Sequence, residues 1–293
     1  MEEIAAKTLV TRNKSTAWFG AEYNMNIYRG CNHGCVYCDS RSDCYGTRDF
    51  ERVRVKKDAL RIIRDDLRRK VKPGVVATGS MSDPYNSFEV EKQLTRHALE
   101  LLGAYGFGVA IATKSTLVTR DTDVLLEIKQ HSPVLVKMTV TTTDDELSGK
   151  VEPGAPVSSR RLAALEELAK RGIYTGVLLM PLLPFVQDTP ENVRGVLRAA
   201  SNAGARFVYA SLGVTMRDSQ RDHLLAELDR LFPGMAKRYR SQYGDWYRCG
   251  SPRAKELWAI LQEECRSLGL LYRMPDIISG YRMGYGSSQL SWF

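Results

Sequence analysis

Three cysteines share one short run, Tyr28-Arg29-Gly30-Cys31-Asn32-His33-Gly34-Cys35-Val36-Tyr37-Cys38-Asp39, with the spacing C-x3-C-x2-C. Thiolates are soft ligands, and three on one loop can converge on one inorganic centre. Gly30 and Gly34 give the loop freedom to wrap tightly. A cubane 4Fe-4S cluster held by three cysteines keeps one iron without a protein ligand, and that iron can take a cofactor. A structural zinc ion is the competing reading. Cys35 and Cys38 make one C-x2-C pair, Cys31 or His33 stands nearby, and Cys44 offers a fourth ligand. A disulfide framework suits neither six cysteines in 293 residues nor the lack of a secretory signal pattern.

The chain must fold so as to carry that loop. Its length suggests one large or two small domains, and 43% hydrophobic and 26% charged residues are ordinary for a globular protein. Lys and Arg number 42 against 34 Asp and Glu, a net charge of +8 that favours polyanionic partners. The longest apolar run, 176–186, is too short to cross a bilayer and holds Pro181 and Pro184. These features lead us to expect a monomeric, cytoplasmic protein with no membrane contact, in a reducing compartment where an oxygen-sensitive cluster survives.

Strand and helix signals alternate along the first two thirds. Strands are expected at 24–28, 75–78, 108–112, 134–140, 174–179 and 206–210. Helices are expected at 56–70, 89–105, 122–130, from Ser158 or Ser159 to Gly172, and from Asp188 or Thr189, with Pro190 in the first turn, to Gly204. Six β-α units in order argue for a parallel sheet curled as a barrel or partial barrel. Beyond about residue 213 the alternation fails, and 218–231 and 254–268 read as helices. The expected division is a core over 1–215 and a mainly helical extension over 216–293.

The cysteine spacing, with Tyr37 just before the third cysteine, resembles the signature of the radical S-adenosylmethionine (SAM) superfamily. That resemblance implies a partial (β/α)6 barrel, in agreement with the alternation. It also implies that Cys31, Cys35 and Cys38 hold a 4Fe-4S cluster whose open iron is chelated by SAM. One electron then splits SAM into methionine and a 5′-deoxyadenosyl radical that abstracts hydrogen, and a flavodoxin- or ferredoxin-type protein supplies the electron.

Parallel barrels place chemistry at the carboxyl ends of their strands. Polar residues collect there after the second strand (Gly79 to Tyr85), after the third (Thr113-Lys114-Ser115), at the end of the fourth (Thr139 to Asp145) and at Met180-Pro181. A zwitterionic nucleoside needs an ammonium acceptor, carboxylate donors, ribose partners and an apolar slot. Ser80, Ser82 and Asp83 suit the ammonium, Lys114 the carboxylate, Thr139 or Thr141 the ribose, and Met180 and Tyr37 the adenine. Cys44 and Tyr85 are expected radical relays, with Tyr45 and Cys249 as further candidates.

The runs Cys31 to Arg41, Ser82-Asp83-Pro84-Tyr85-Asn86, Thr113-Lys114-Ser115, Thr141 to Asp145 and Glu152-Pro153-Gly154-Ala155-Pro156 resemble the spore photoproduct lyase-like branch over roughly residues 20–235. Those lyases split a thymine dimer and use a cysteine at the end of the second strand as hydrogen donor. Gly79 and Ser80 stand at that place here. A serine O–H bond is too strong for that role, so the resemblance implies fold and cofactor rather than substrate.

Two basic stretches point to nucleic acid, DNA ahead of RNA, and to repair or modification. Residues 51–72 hold ten Lys or Arg against four acids, and residues 237–255 hold six against one, interleaved with Tyr239, Tyr243, Trp246 and Tyr247. The alternatives are radical chemistry on a peptide, protein or small metabolite, and a zinc-stabilised nucleic-acid-binding module. The last five residues, Gln289-Leu290-Ser291-Trp292-Phe293, are similar to the pentapeptide by which bacterial repair proteins bind the DNA sliding clamp, although Trp292 departs from the usual Leu.

Overall fold

The computed structural model describes residues 1–285 except 48 and 71, so the clamp-like pentapeptide lies outside the described residues. Six parallel strands form the frame: β1 (Tyr23–Met25), β2 (Val75–Thr78), β3 (Gly108–Thr113), β4 (Val134–Thr139), β5 (Tyr174–Leu179) and β6 (Phe207–Ala210). They lie side by side in chain order, and an edge strand, Val10–Arg12, runs antiparallel to β1. Among the described residues the ladder does not close, so the barrel is partial. β3 and β4 read as near-continuous apolar runs because both faces are buried, as a parallel sheet between helices and lumen requires.

Helices α1 (Ala59–Arg68), α2 (Leu94–Ala104), α3 (Thr122–Lys129), α4 (Ser158–Lys170) and α5 (Pro190–Asn202) make the crossovers. Their apolar stripes, such as Val193, Val196, Leu197 and Ala200 of α5, meet the outer face of the sheet in the main core. Thr189 caps α5 as expected, its Oγ1 accepting from the Asn192 amide at 3.2 Å.

Beyond β6 come α6 (Asp218–Leu231), α7 (Met235–Tyr243), α8 (Ala254–Leu268) and α9 (Met274–Arg282). α8 lies along α5, where Glu264 meets Arg194 at 2.6 Å and Arg198 at 3.0 Å. α9 sends Ile277 and Tyr281 into the lumen, where they pack with Phe19, Leu135 and Phe207, and the Tyr281 hydroxyl donates to the Phe19 carbonyl at 2.7 Å. α9, the ribbon of Gly213–Thr215 with Arg248–Gly250, and the small sheet of Glu2–Ile4, Arg54–Lys56 and Tyr28–Arg29 lie outside the expected elements.

Three expectations are corrected. The strand expected at 24–28 divides, Tyr23–Met25 joining the barrel and Tyr28–Arg29 the small sheet. The helix expected at 89–105 breaks at Gln93, which adopts φ 49°. There the buried Glu89 carboxylate takes the Thr95 amide at 3.0 Å and the Tyr28 hydroxyl, so a tertiary acceptor outcompetes helix continuation. Val157, not Ser158 or Ser159, stands at the N-cap of α4, because Ser159 bonds Asp145 through its amide and hydroxyl.

Candidate functional site

Cys31, Cys35 and Cys38 line one cavity of about 660 Å³ at the carboxyl ends of the strands. The loop that carries them turns at Gly30 (φ 82°) and Gly34 (φ 63°), a left-handed backbone that other residues rarely take. It is held from three sides. The Ser82 hydroxyl donates to the Gly30 carbonyl, and the Cys31 amide donates to Phe50 at 2.8 Å. The segment after β4 takes the Val36 amide on the Val151 carbonyl at 3.0 Å, and its Gly154 amide donates to the His33 carbonyl at 2.8 Å. From α6, Gln220 donates to the Tyr37 carbonyl at 3.3 Å.

Among the described residues no three His, Cys, Asp or Glu side chains converge closely enough to hold a single ion. A structural zinc site would need such a group, with four ligands around one ion. Cys44, the fourth ligand of the zinc reading, is exposed, lies off the cavity and receives the Ser42 hydroxyl at 3.3 Å.

Ser80, Ser82, Asp83, Lys114, Thr139 and Met180 line the cavity with the cysteines. Asp83 ties β2 to β3. Its Oδ1 accepts from the Thr113 hydroxyl at 2.7 Å and the Tyr85 amide at 2.9 Å, and its Oδ2 accepts from the Lys114 amide at 2.8 Å. Only Oδ2 keeps room for a further donor, and His33 Nδ1 stands 3.7 Å from it. Tyr37 lies on an adjoining 730 Å³ cavity that shares Cys38, Ser80 and Met180 with the first.

The structure does not bring Thr141, Tyr85 or Cys44 to the cavity lining. Thr141 Oγ1 is buried and accepts from Gln187 at 2.9 Å. Tyr85 is buried beneath the Arg120 guanidinium, beside Asp121. Of the further relay candidates, Cys249 borders the adjoining cavity, and Tyr45 bonds Asp39 at 3.0 Å. A separate 860 Å³ cleft at the amino ends of the strands, lined by Ile173, Tyr174 and Arg206, contains no cysteine.

Charge is organised around the thiols. Burial pushes Cys35 up to about 12 and Cys31 up to about 11, the Asp83 charge adding to the rise at Cys31. Burial works against the Lys114 ammonium, but facing Cys35, Glu152 and Cys38 outweighs it and raises the pKa. Lys114 Nζ is 5.6 Å from the centre of the Tyr37 ring and 3.9 Å from Glu152. Burial lowers His33, so its imidazole is neutral near pH 7.

Glu152 and Arg161, fully buried and 2.5 Å apart, are positioning residues that the sequence analysis does not single out. Glu152 accepts the Tyr37 hydroxyl, and Arg161 donates to the Thr139 carbonyl at 3.0 Å. The run Glu152 to Pro156 was the available signal. Lys137, Trp18 and Asn24 also line the cavity and are also absent from that analysis.

The second basic stretch is corrected in part. Tyr239 and Tyr243 are core residues that donate to the carbonyls of Pro184 and Gly250. Trp246 and Tyr247 are exposed, at 69% and 42%.

Comparison with known proteins agrees with this geometry. The sequence model of the radical SAM superfamily matches residues 25–198. An uncharacterized protein of Mycobacterium tuberculosis is 31% identical over 279 residues, covering 93% of this chain and 81% of that protein. Among solved structures, spore photoproduct lyase complexed with dinucleoside spore photoproduct matches with a TM-score of 0.66 at 17% identity, covering 92% of this chain and 81% of that one. A radical SAM methyltransferase from Kitasatospora setae, with tryptophan substrate and a SAM analogue bound, matches with a TM-score of 0.53 at 16% identity, covering 84% and 51%. At these identities the two solved structures share the fold.

Proposed function

That the chain belongs to the radical SAM superfamily is the premise from which we propose an enzyme acting on nucleic acid. In this reading Cys31, Cys35 and Cys38 hold the family's 4Fe-4S cluster, and SAM occupies the cavity above β2 to β5. When bound, the reduced cluster supplies the electron that cleaves SAM to methionine and a 5′-deoxyadenosyl radical. The observation that carries the reading is that all three cysteines and six of the eight expected SAM-contact residues line one cavity at the strand ends.

The chain's own residues do the rest. Lys114 offers an ammonium for the SAM carboxylate while its charge offsets that of the thiolates. Asp83 Oδ2, with its remaining lone pair, and Ser80 offer acceptors for the SAM ammonium. Ser82, Gln220 and the Val151–Gly154 segment fix the cysteine loop before any cofactor arrives. Met180, which lines both cavities, and Tyr37, on the adjoining one, offer the apolar slot for adenine. We assign residues 1–215 to this core and 216–293 to an extension that adds Arg248, Cys249 and Gly250 to the lining of the adjoining cavity.

Three features support nucleic acid: the net charge of +8, the basic stretch at 51–72, and Trp246 and Tyr247 exposed beside Arg248. Gly79 and Ser80 at the end of β2 offer no thiol, so the reading does not include splitting of a thymine dimer. The test is anaerobic incubation of reconstituted protein with SAM, reductant and single- or double-stranded DNA or RNA. We expect 5′-deoxyadenosine, its formation stimulated by one of these polymers with a steep salt dependence, and none from Cys35→Ala. Reductive cleavage by Cys35→Ala would remove the cluster assignment. Stimulation by peptides instead of polynucleotides would move the substrate to the alternative class.

A further inference from the structure

One cavity residue has no place in that reading. Lys137 lies on β4 two residues before Thr139 and is only 2% exposed. Its neighbours in register are Ala112 on β3 and Gly176 on β5, so little side chain covers its amine from either side. At Gly176 even a Cβ would stand 2.2 Å from the Phe207 ring, so glycine there admits the ring that closes the lumen below. Phe19 lies against the amine with its ring centre 4.4 Å from Nζ, and it holds φ 48°, a backbone strained for a residue with a side chain.

No carboxylate pairs with Lys137 among the described residues. The titratable groups on the same cavity belong to Lys14, Cys31, His33, Cys35, Cys38, Asp83 and Lys114, and Asp83 is already engaged by Thr113, the Lys114 amide and Tyr85. A buried ammonium with a ring and a cavity but no acceptor beside it is costly, and structural lysines are normally paired. Burial alone lowers this amine to about 7, so it still charges within the physiological range.

We propose that Lys137 is an anion-binding residue at the floor of the cavity, and that the substrate carries a phosphate or carboxylate that reaches it. The proposal rests on reading the cavity as the site of SAM chemistry, and not on nucleic acid being the substrate. A small anion in the cavity would meet one desolvated N⁺–H donor set, an arrangement that gives short, strong hydrogen bonds.

The test uses the full-length, reconstituted, SAM-loaded protein below neutral pH. Native protein, Lys137→Met and Lys137→Arg are titrated with inorganic phosphate, with acetate, and with a thymidine dinucleotide beside its uncharged methylphosphonate analogue. We expect native protein to bind an anionic probe about tenfold to a hundredfold more tightly than Lys137→Met does, with Lys137→Arg recovering most of the loss. Preference for phosphate over acetate assigns a phosphoryl group, and the reverse assigns a carboxylate. Phosphate binding that depends on Lys137 with neither dinucleotide bound supports the anion site and removes nucleic acid as substrate. Anion affinity equal in native and Lys137→Met protein, or absent from native protein, overturns the proposal. So does loss of SAM affinity alone in Lys137→Met, which would give the amine to the cofactor. If Lys137→Met fails to fold, Lys137→Gln takes its place on the same probes: loss of anion affinity supports the site, and affinity equal to the native value overturns it.

Discussion

Replacing Lys137 with methionine should stabilise the fold. Burial lowers the amine to about 7 in the native state, while an unfolded lysine titrates near 10.4. The difference of a little over three units corresponds to about 4–5 kcal/mol of penalty at neutral pH. The Phe19 ring face returns roughly 1–2 kcal/mol of that. Methionine fills similar volume with no charge to desolvate, so a net gain of about 2–4 kcal/mol is expected. Above the unfolded-state value both states hold a neutral amine and the penalty is absent. As pH falls from about 10 to about 7 the unfolded chain takes a proton that the native state refuses, and native stability declines by up to about 1.4 kcal/mol per pH unit relative to the variant. Below about 7 both states are charged and the penalty is constant. Anaerobic urea unfolding of reconstituted protein, followed by tryptophan fluorescence across this range, reads the difference as a shift in midpoint at constant slope. A variant less stable than the native protein at pH 7, or a difference that does not change with pH, would refute the reasoning. Either result would mean that the amine is paired or fully solvated in the native state. A gain in stability with a loss of anion affinity is the expected signature of a residue kept for function.

Three further outcomes follow from the same geometry. Lys114→Met should weaken SAM binding about tenfold to a hundredfold with iron content retained, measured by SAM titration and iron analysis, because it removes a charge-assisted contact. Glu152→Gln should destabilise the fold by about 3–5 kcal/mol, since it leaves the Arg161 charge buried without its partner, and should lower the yield of cluster reconstitution. Asp66→Asn should cost about 2 kcal/mol above pH 4, because Asp66 accepts from the Leu9 amide at 2.7 Å and the Val10 amide at 3.0 Å. These bonds, opposed by desolvation, hold the Asp66 carboxyl below its ordinary pKa, so its contribution is full above the unfolded-state value and fades as pH falls through the folded-state one. Acid unfolding curves of the two proteins should therefore converge.

The cysteine loop and the barrel were legible in the sequence because both are written in short-range spacing. C-x3-C-x2-C brings three thiols to one loop whatever surrounds it, and apolar runs such as Val75–Thr78 and Tyr174–Leu179, broken by Gly and Pro, announce buried parallel strands. Strand-end residues were legible for the same reason, since a barrel's chemistry lies at its carboxyl ends. Which of them face the cavity depends on partners distant in sequence. Thr141 is turned away by Gln187, 46 residues on, and Asp83 is engaged by Thr113 and the Lys114 amide. The break at Gln93 likewise needs Glu89 to be buried against Tyr28 and Arg120, which no helical pattern reveals. Tyr239 and Tyr243 read as a basic, aromatic surface, yet their rings pack into a core closed by α6 and α7. Lys137 shows the limit most plainly. In sequence it is one cation inside an apolar strand, and only the register with Ala112 and Gly176, and the approach of Phe19 from 118 positions away, leave its charge buried and unpaired. Local spacing fixes which groups can act together within a loop or strand, whereas burial and pairing are sums over the whole fold.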